Sequence, residues 1–336
     1  MSMRIFVCEF ITGGGVLGEP LPDALALEGD MMLNALVSDL LDLTAIDIVT
    51  ARDPRLDVVR HPIQVETLDQ AGDCWQLWQT LARNADAVWP IAPETGGALE
   101  DLSEMAQRCH RILLGSSPEA IRLTTSKSAT SAQLLNCGIP AVETHQVSTD
   151  LPLSETGWII KPDDGVGCED TYLFQTYEAL KTWLDNNKAK QFHVAQRFIP
   201  GIPASISMLC RDGEAQVLAC NQQRVEINAS KCCLRGMIVN GLRDKRALFE
   251  KLADDVTKAI PGLWGYVGID LILTPSGPVV LEVNPRLTTS YIGLRKSIRR
   301  NPAELVLSLL EGNKSISSAL LSDEPVVINL EQTYVQ

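Results

Sequence analysis

The 336-residue chain has no C-x-x-C pair and only four histidines, none at ligand spacing from another, so a structural zinc site is not expected. Its nine cysteines (Cys8, Cys74, Cys109, Cys137, Cys168, Cys210, Cys220, Cys232 and Cys233) are odd in number and irregularly spaced. That pattern fits reduced thiols in a cytoplasmic protein rather than a disulfide framework. Long apolar runs are also missing. The opening stretch MSMRIFVCEF is too short for a signal-peptide core, and Leu33 to Val49 is interrupted by Asp39, Asp42 and Asp47, so no membrane span is expected. Positive charge is scarce: 29 Lys and Arg stand against 42 Asp and Glu, a net charge of -13. Such a surface repels phosphate backbones and argues against a nucleic-acid partner, without forbidding a local basic pocket for a nucleotide. No internal repeat or low-complexity tract is visible.

What remains can fold. Hydrophobic residues make up 45% and charged residues 21%, enough for a sizeable core, and the length suits two or three lobes. Arg4 to Phe10 reads as a buried strand followed by Thr12-Gly13-Gly14-Gly15. G-x-G-x-x-G is absent, so the glycines predict a tight turn near a substrate pocket ahead of a phosphate loop. Helical spacing over Asp30 to Leu43, strands at Ala45 to Val49 and Ala87 to Ile91, a helix over Leu102 to Arg111 and a strand at Ile112 to Leu114 alternate. Alternation of this kind implies a parallel, doubly wound sheet in roughly the first 115 residues. A helix over Ser117 to Leu135 ends at Gly138-Ile139-Pro140. Trp158 to Pro162 is strand-like, the loop Asp163-Asp164-Gly165-Val166-Gly167-Cys168 follows, and Tyr172 to Phe174 returns. A helix over Tyr177 to Asn186 exits through Asn186-Asn187-Lys188. Beyond His193 the pattern is mostly β: Val194 to Ile199, Ala204 to Cys210, Ala215 to Asn221 and Gly265 to Leu273, with helices over Leu248 to Ile260 and Ala303 to Leu310. The expected organisation is an α/β lobe (1–115), a small α+β lobe (116–192) and a larger α+β lobe (193–336).

Chemistry concentrates between Asp270 and Arg286. Two apolar runs flank Thr274-Pro275-Ser276-Gly277, which signals a hairpin that sets Asp270 roughly opposite Glu282. Two carboxylates facing each other among Ile, Leu and Val are costly unless a cation joins them. Asn284 lies two residues after Glu282, on the same strand face. Asp270, Glu282 and Asn284 are hard oxygen ligands that suit Mg²⁺ shared with phosphates. Arg286 can neutralise charge developing on a phosphate or carboxylate. Lys161, at the end of an apolar strand before a glycine loop, and Lys127, in Thr124-Thr125-Ser126-Lys127-Ser128, are candidate phosphate ligands. Gln196-Arg197-Phe198-Ile199-Pro200-Gly201 offers backbone groups and apolar surface for an adenine.

In this order these motifs resemble the ATP-grasp superfamily over about residues 116 to 312: a lysine in a helix before GIP, a strand lysine before a glycine loop, the QRFIPG hinge, then G-x-D, a hairpin and E-V-N-P-R. Within it the chain resembles the tyramine–glutamate ligases of methanofuran biosynthesis. Glu282 to Leu294 carries most of that resemblance, with Phe10 to Gly15, Pro203-Ala204-Ser205 and Asn221-Gln222-Gln223 adding to it.

The resemblance implies an ATP-grasp fold behind a pre-ATP-grasp domain. It implies that ATP phosphorylates the side-chain carboxylate of glutamate and that an aromatic amine, tyramine or tyrosine, attacks the acyl phosphate. Lys127, Lys161, Gly165, Gly167, Gln196, Arg197, Phe198 and Ile199 would hold ATP. Asp270, Glu282 and Asn284 would hold two Mg²⁺ ions (or Mn²⁺), with Glu282 bridging. Arg286 and Lys161 would act on the transferring phosphoryl group. Thr288, Thr289, Ser290 and Tyr291, which follow Arg286, and Arg224 and Arg235 are substrate candidates. A homodimer is a further implication. The usual acidic ribose ligand of the hinge is missing here, because Gln196 opens the hinge and Pro203-Ala204-Ser205 follows it. A ligase for another pair and a phosphoryl transferase on the same scaffold stay open.

Overall fold

A computed structural model of the chain describes residues 2–70, 72–148, 151–152, 154–187, 191–311 and 322–330. The N-terminal region forms β1 (Met3–Glu9), α1 (Asp23–Leu41), β2 (Ile46–Arg52), β3 (Gln64–Thr67), α2 (Cys74–Arg83), β4 (Ala87–Ile91), α3 (Ala98–Arg108) and β5 (Ile112–Leu113). The strands make one parallel sheet in the order β3-β2-β1-β4-β5, with Val7 facing Thr50 and Glu9 facing Ile91. The expected doubly wound sheet is therefore present.

Helix α1 begins seven residues earlier than its apolar spacing suggested, because Pro22 opens it and Ala24 to Leu27 are good helix formers. Gly29 sits inside this helix for a packing reason. A Cβ there would come within 2.6 Å of Glu9 Oε1, so only glycine lets α1 pass the end of β1. The sequence reading missed β3, which is short and half-exposed, and α2. Asp73 caps α2 by accepting from the Trp75 amide (2.9 Å). From α2 the buried Trp78 indole donates to Gly13 O (3.1 Å), and the Gly15 amide donates to Phe10 O (2.8 Å). The glycine loop is thus a turn packed on Trp78.

The expected helix over Ser117 to Leu135 is two helices, α4 (Pro118–Thr125) and α5 (Lys127–Asn136). Thr124 and Thr125 turn their hydroxyls back onto Ala120 O and Ile121 O (2.9 and 2.8 Å). Ser126 becomes extended and caps α5 by accepting from the Ala129 amide. Hydroxyl side chains that compete for backbone groups explain the break. The result puts Lys127 in the first turn of a new helix.

The second sheet has ten strands: β6 (Thr144–Gln146), β7 (Trp158–Pro162), β8 (Tyr172–Phe174), β9 (His193–Arg197), β10 (Ile202–Arg211), β11 (Glu214–Asn228), β12 (Lys231–Val239), β13 (Gly265–Thr274), β14 (Gly277–Asn284) and β15 (Val326–Asn329). Their order is β14-β13-β10-β11-β12-β8-β7-β9-β6, with β15 against β12. Helices α6 (Tyr177–Asn186), α7 (Arg246–Ala259), α8 (Tyr291–Ile298) and α9 (Pro302–Ser308) complete the described elements. Lys188, expected at the exit of α6, lies outside the described residues. Strand β12 escaped the sequence reading because Lys231, Arg235 and Gly236 break its alternation. The pairing of β9 with β6 and β7 places it with the small lobe, so we propose drawing the lobe boundary near Phe198. Leu33, Leu36 and Leu40 of α1 share one core with Tyr291, Leu294 and Ile298 of α8, which joins the N-terminal region to the large lobe.

Candidate active site

A cavity of about 400 Å³ lies between the two halves of the ten-stranded sheet. Its acidic end is the hairpin of β13 and β14, where Asp270 faces Glu282 directly. A regular ladder from the turn, in which Thr274 pairs with Gly277 and Leu271 with Val280, would set Asp270 against Leu281. A bulge in the register after Asp270 adds one residue to β14 and brings Glu282 onto the same face instead. Asn284 joins them by donating from Nδ2 to Asp270 Oδ2 (3.1 Å), and Gln223 from β11 donates to Asp270 Oδ1 (2.8 Å).

Both expected lysines converge on Glu282. Lys127 Nζ is 3.5 Å and Lys161 Nζ 3.6 Å from Glu282 Oε2. Lys127 also donates to Gly165 O (2.6 Å) and Asp163 O (3.2 Å), so the α5 terminus grips the glycine loop. The Asp163 carboxylate returns the contact by accepting from the Ser128 amide (2.9 Å). The electrostatics follow. Burial pushes Asp270 upward and the Glu282 charge opposite adds to it. Burial acts on Glu282 in the same sense, but the Lys127 and Lys161 ammoniums outweigh it and hold its carboxyl low. Burial draws Lys161 downward against the pull of Glu282.

These residues fit a divalent cation. Two carboxylates and an amide oxygen on adjacent strands are few, hard ligands, which suits an ion that shares phosphate oxygens, and joining a cation to Asp270 and Glu282 removes their mutual repulsion. Among the described residues no cluster of three or more His, Cys, Asp or Glu is placed to hold a metal by itself.

At the other end, Gln196 lines the cavity and donates to Thr144 Oγ1 (2.9 Å). Phe198 and Ile199 line it too, but the Phe198 amide donates to Gly157 O (3.0 Å) and its carbonyl accepts from Thr156 Oγ1 (2.6 Å). Arg197 places its guanidinium 5.8 Å over the Trp158 ring. Gly165 and Gly167 border the cavity.

Arg286 stands beyond Asn284, with Nε donating to Glu94 Oε2 (2.9 Å) and Nη2 in an ion pair 2.8 Å from the same oxygen. The sequence reading overlooked Glu94. Its neighbours Thr95 and Gly96 bind Asp164, through Thr95 Oγ1 to Asp164 O (2.9 Å) and the Gly96 amide to Asp164 Oδ2 (3.1 Å). One turn of the N-terminal region therefore holds both the arginine and the glycine loop. Glu9 and Glu28 were missed as well, and both border a smaller cleft beside Arg286. The available signal was an acid at the carboxyl end of a parallel strand, where ligands of such sheets collect.

Several substrate candidates lie elsewhere. Arg224 points to β15, donating to Ile328 O (3.3 Å) and contacting Asn329, because its neighbours Gln223 and Val225 take the cavity face. Arg235 pairs with Glu226 at 3.0 Å at the surface. Tyr291 is buried and donates to Asp39 Oδ2 (2.9 Å) across the join of α8 and α1. Thr288 and Ser290 belong to a hydroxyl network with Tyr266 and Ser207 at 2.9–3.1 Å. Thr289 donates to Glu28.

Residues 124–290 match the ATP-grasp domain family, and residues 46–121 match the pre ATP-grasp 3 domain. The chain belongs to the ATP-grasp ligase family, whose members bind ATP with a divalent metal. A tyramine–L-glutamate ligase of Methanocaldococcus jannaschii is 22% identical over 274 residues, 80% of this chain and 78% of that protein. In structure, a protein from Archaeoglobus fulgidus described as of the ATP-grasp superfamily has a TM-score of 0.71 at 24% identity, covering 91% of this chain and 88% of its own. An L-amino acid ligase from Bacillus licheniformis has a TM-score of 0.61 at 17% identity, covering 91% and 73%. Among the described residues no helix is long and apolar enough to cross a membrane.

Proposed function

We propose that the chain joins a carboxylate to an amine through an acyl phosphate, with the side-chain carboxylate of glutamate and an aromatic amine as substrates. The observation that carries this reading is the Asp270–Glu282 rung with Lys127 and Lys161 converging on it and Arg286 just beyond. The adenine lies against Phe198 and Ile199, and the phosphates run toward the two lysines beneath Gly165 and Gly167. Asp270, Glu282 and Asn284 would hold two Mg²⁺ or Mn²⁺ ions, which neutralise phosphate charge when bound. As phosphates arrive, Lys127 and Lys161 exchange part of their contact with Glu282 for phosphoryl oxygens. Arg286 faces the transferring group and then the oxyanion formed when the amine attacks. The loop 163–168, tied to α5 through Asp163 and to the N-terminal region through Asp164, covers the phosphates and excludes water.

The test is ADP release by the purified protein across pools of carboxylates and amines, with mass spectrometry of the products. Glutamate with tyramine or tyrosine yields an amide, ADP and phosphate. Amide from a different pair alone replaces the substrates, and phosphorylated product without amide replaces the ligase with a phosphoryl transferase.

A further inference from the structure

We propose that Tyr266 is a positioning residue for Arg286, which it fixes by holding the hydroxyls of Thr288 and Ser290 in the loop that follows the arginine. The inference rests on the reading of Arg286 as the group that meets the transferring phosphoryl, and adds to it a residue outside the nucleotide cavity.

Residues two apart on a strand share a face, so Tyr266, Gly268 and Asp270 line one side of β13. The neighbouring strands add to the same side. Ser205 of β10 pairs with Asp270 and Ser207 with Gly268, Asn221 of β11 pairs with Ser205, and Asn284 of β14 pairs with Gly268. The face that carries the paired carboxylates therefore continues into the core as a strip of hydroxyls and amides. Ser207 and Asn221 are 0% exposed and Tyr266 3%. Polar groups so deeply buried are costly unless they are hydrogen-bonded.

Tyr266 completes those bonds. Its hydroxyl donates to Ser207 Oγ (3.0 Å) and lies 3.0 Å from Ser290 Oγ and 3.1 Å from Thr288 Oγ1. Ser207 and Ser290 are 2.9 Å apart, as are Thr288 and Ser290. Asn221 supports the cluster by donating from Nδ2 to Ser207 (3.0 Å) and Ser205 (3.2 Å). Two hydroxyls from the sheet thus hold two from the loop.

The loop forgoes the ordinary use of these side chains. Ser290 is the N-cap of α8, where a serine hydroxyl normally accepts from an amide of the first turn, yet it makes no such bond. Thr288 rests on Gly268, where a Cβ would come within 2.7 Å of its Cγ2, so the loop lies directly on the strand backbone. The alternate residues, Thr289 and Tyr291, reach the other way, to Glu28 and Asp39 of α1. The segment is therefore fixed from both sides. Arg286 is two residues before Thr288 and donates from Nη1 to Leu287 O (3.0 Å), so its guanidinium follows the loop backbone. Tyr266, Arg286 and Leu287 also border one void of about 10 Å³, which puts the ring beside the arginine.

A donor aimed in advance at developing charge needs no reorganisation during the reaction, and a displacement of about 1 Å can cost about 10²-fold in rate. Losing the Tyr266 hydroxyl leaves Thr288 and Ser290 a partner short in the core and loosens the loop. Lys127, Lys161 and the hinge stand on α5, on β7 and at the end of β9, and keep the nucleotide. The expected signature is a lower kcat at an unchanged KM for ATP, whereas general loosening of the fold raises KM as well.

The experiment uses the full chain with ATP, Mg²⁺, glutamate and hydroxylamine, which captures the activated carboxylate as a hydroxamate whatever the natural amine. Tyr266→Phe keeps the ring and is expected to lower kcat about 10-fold or more, with the KM for ATP within about twofold. Thr288→Val cuts the same contact from the loop side, is expected to lower kcat about 5-fold, and serves should Tyr266→Phe fail to fold. Ser297→Ala is the control. It removes a buried bond of the same kind, from Asn240 Nδ2 (2.8 Å), near the far end of α8, and should leave kcat within about twofold. In the Arg286→Ala background Tyr266→Phe should cost nothing further, because the arginine it positions is gone. Unchanged kcat in Tyr266→Phe and Thr288→Val, multiplicative losses in the double variant, or an equal loss in Ser297→Ala overturns the positioning role while the ligase reading stands. Absence of hydroxamate from the unaltered protein overturns the ligase reading and the proposal with it.

Discussion

Replacing Glu282 by Gln separates catalytic from structural roles because the structure gives opposite magnitudes for the two. In the unaltered protein two ammoniums lie 3.5 and 3.6 Å from this carboxylate. Removing one partner of a buried pair ordinarily costs about 3–5 kcal/mol. Here Asp270 stands ready opposite. Its carboxyl is held up by burial and by the Glu282 charge, so neutralising position 282 lets Asp270 ionise and take over part of the field on Lys127 and Lys161. The expected loss of stability therefore falls to about 1–3 kcal/mol, read as a modest drop in Tm. Turnover has no such substitute. A neutral Gln amide holds a divalent cation far more weakly than a carboxylate, and losing a central electrostatic group in an enclosed site costs about 10²–10³-fold or more in kcat. The assays are ADP release against Mg²⁺ concentration and thermal melts with and without Mg²⁺–ATP. A variant that keeps activity within twofold, or one whose lost activity merely tracks unfolding while Mg²⁺ dependence is unchanged, refutes the reasoning.

Glu94→Ala leaves Arg286 without its partner and is expected to cost about 3 kcal/mol and at least about 10-fold in kcat. A double-mutant cycle with Arg286→Ala should give a coupling of about 1–3 kcal/mol, and strictly additive effects would contradict the pairing. Gly157→Ala forces a side chain onto φ +93° and within 2.5 Å of Phe174 O. A loss above about 2 kcal/mol and a raised KM for ATP are expected, because Gly157 O accepts from the Phe198 amide of the hinge. Glu9 gives a pH prediction. Its folded pKa, about 7, lies above its ordinary 4.5, so the stability it contributes is present below pH 4.5 and is lost as pH rises through 7. Melts of Glu9→Gln should lose about 3 kcal/mol less than the unaltered protein between pH 4.5 and 8, and parallel curves would refute the assignment.

Much of the nucleotide side was legible in the sequence because its signals are local. Asp270 and Glu282 flank one Pro/Gly turn, Lys161 precedes its own loop, and the hinge is one hexapeptide. The hairpin already set Asp270 roughly opposite Glu282, and only the exact rung was not legible, since it depends on the bulge that slips β14 past Asp270. The break at Ser126 was missed because Ser117 to Leu135 keeps a helical apolar pattern while its hydroxyls compete for the backbone. The smaller cleft beside Arg286 was hidden for a topological reason. Glu94 meets Arg286 across 192 residues, and Glu9, Glu28 and Arg286 converge only once the parallel sheet docks on the larger lobe. Arg224 shows the converse error. Strand parity with Gln223 already turned it away from the cavity, and only its charge suggested a ligand. Tyr291, adjacent to the right loop, is used in the join to α1.

The central claim is that a carboxylate is activated by phosphoryl transfer before an amine attacks it. Its most direct test is a single turnover with glutamate carrying ¹⁸O in both carboxyl groups, together with ATP, Mg²⁺ and amine. The account predicts one ¹⁸O atom in the inorganic phosphate released for each amide formed, with ADP as the nucleotide product. Phosphate free of ¹⁸O, or release of AMP and pyrophosphate, would contradict it.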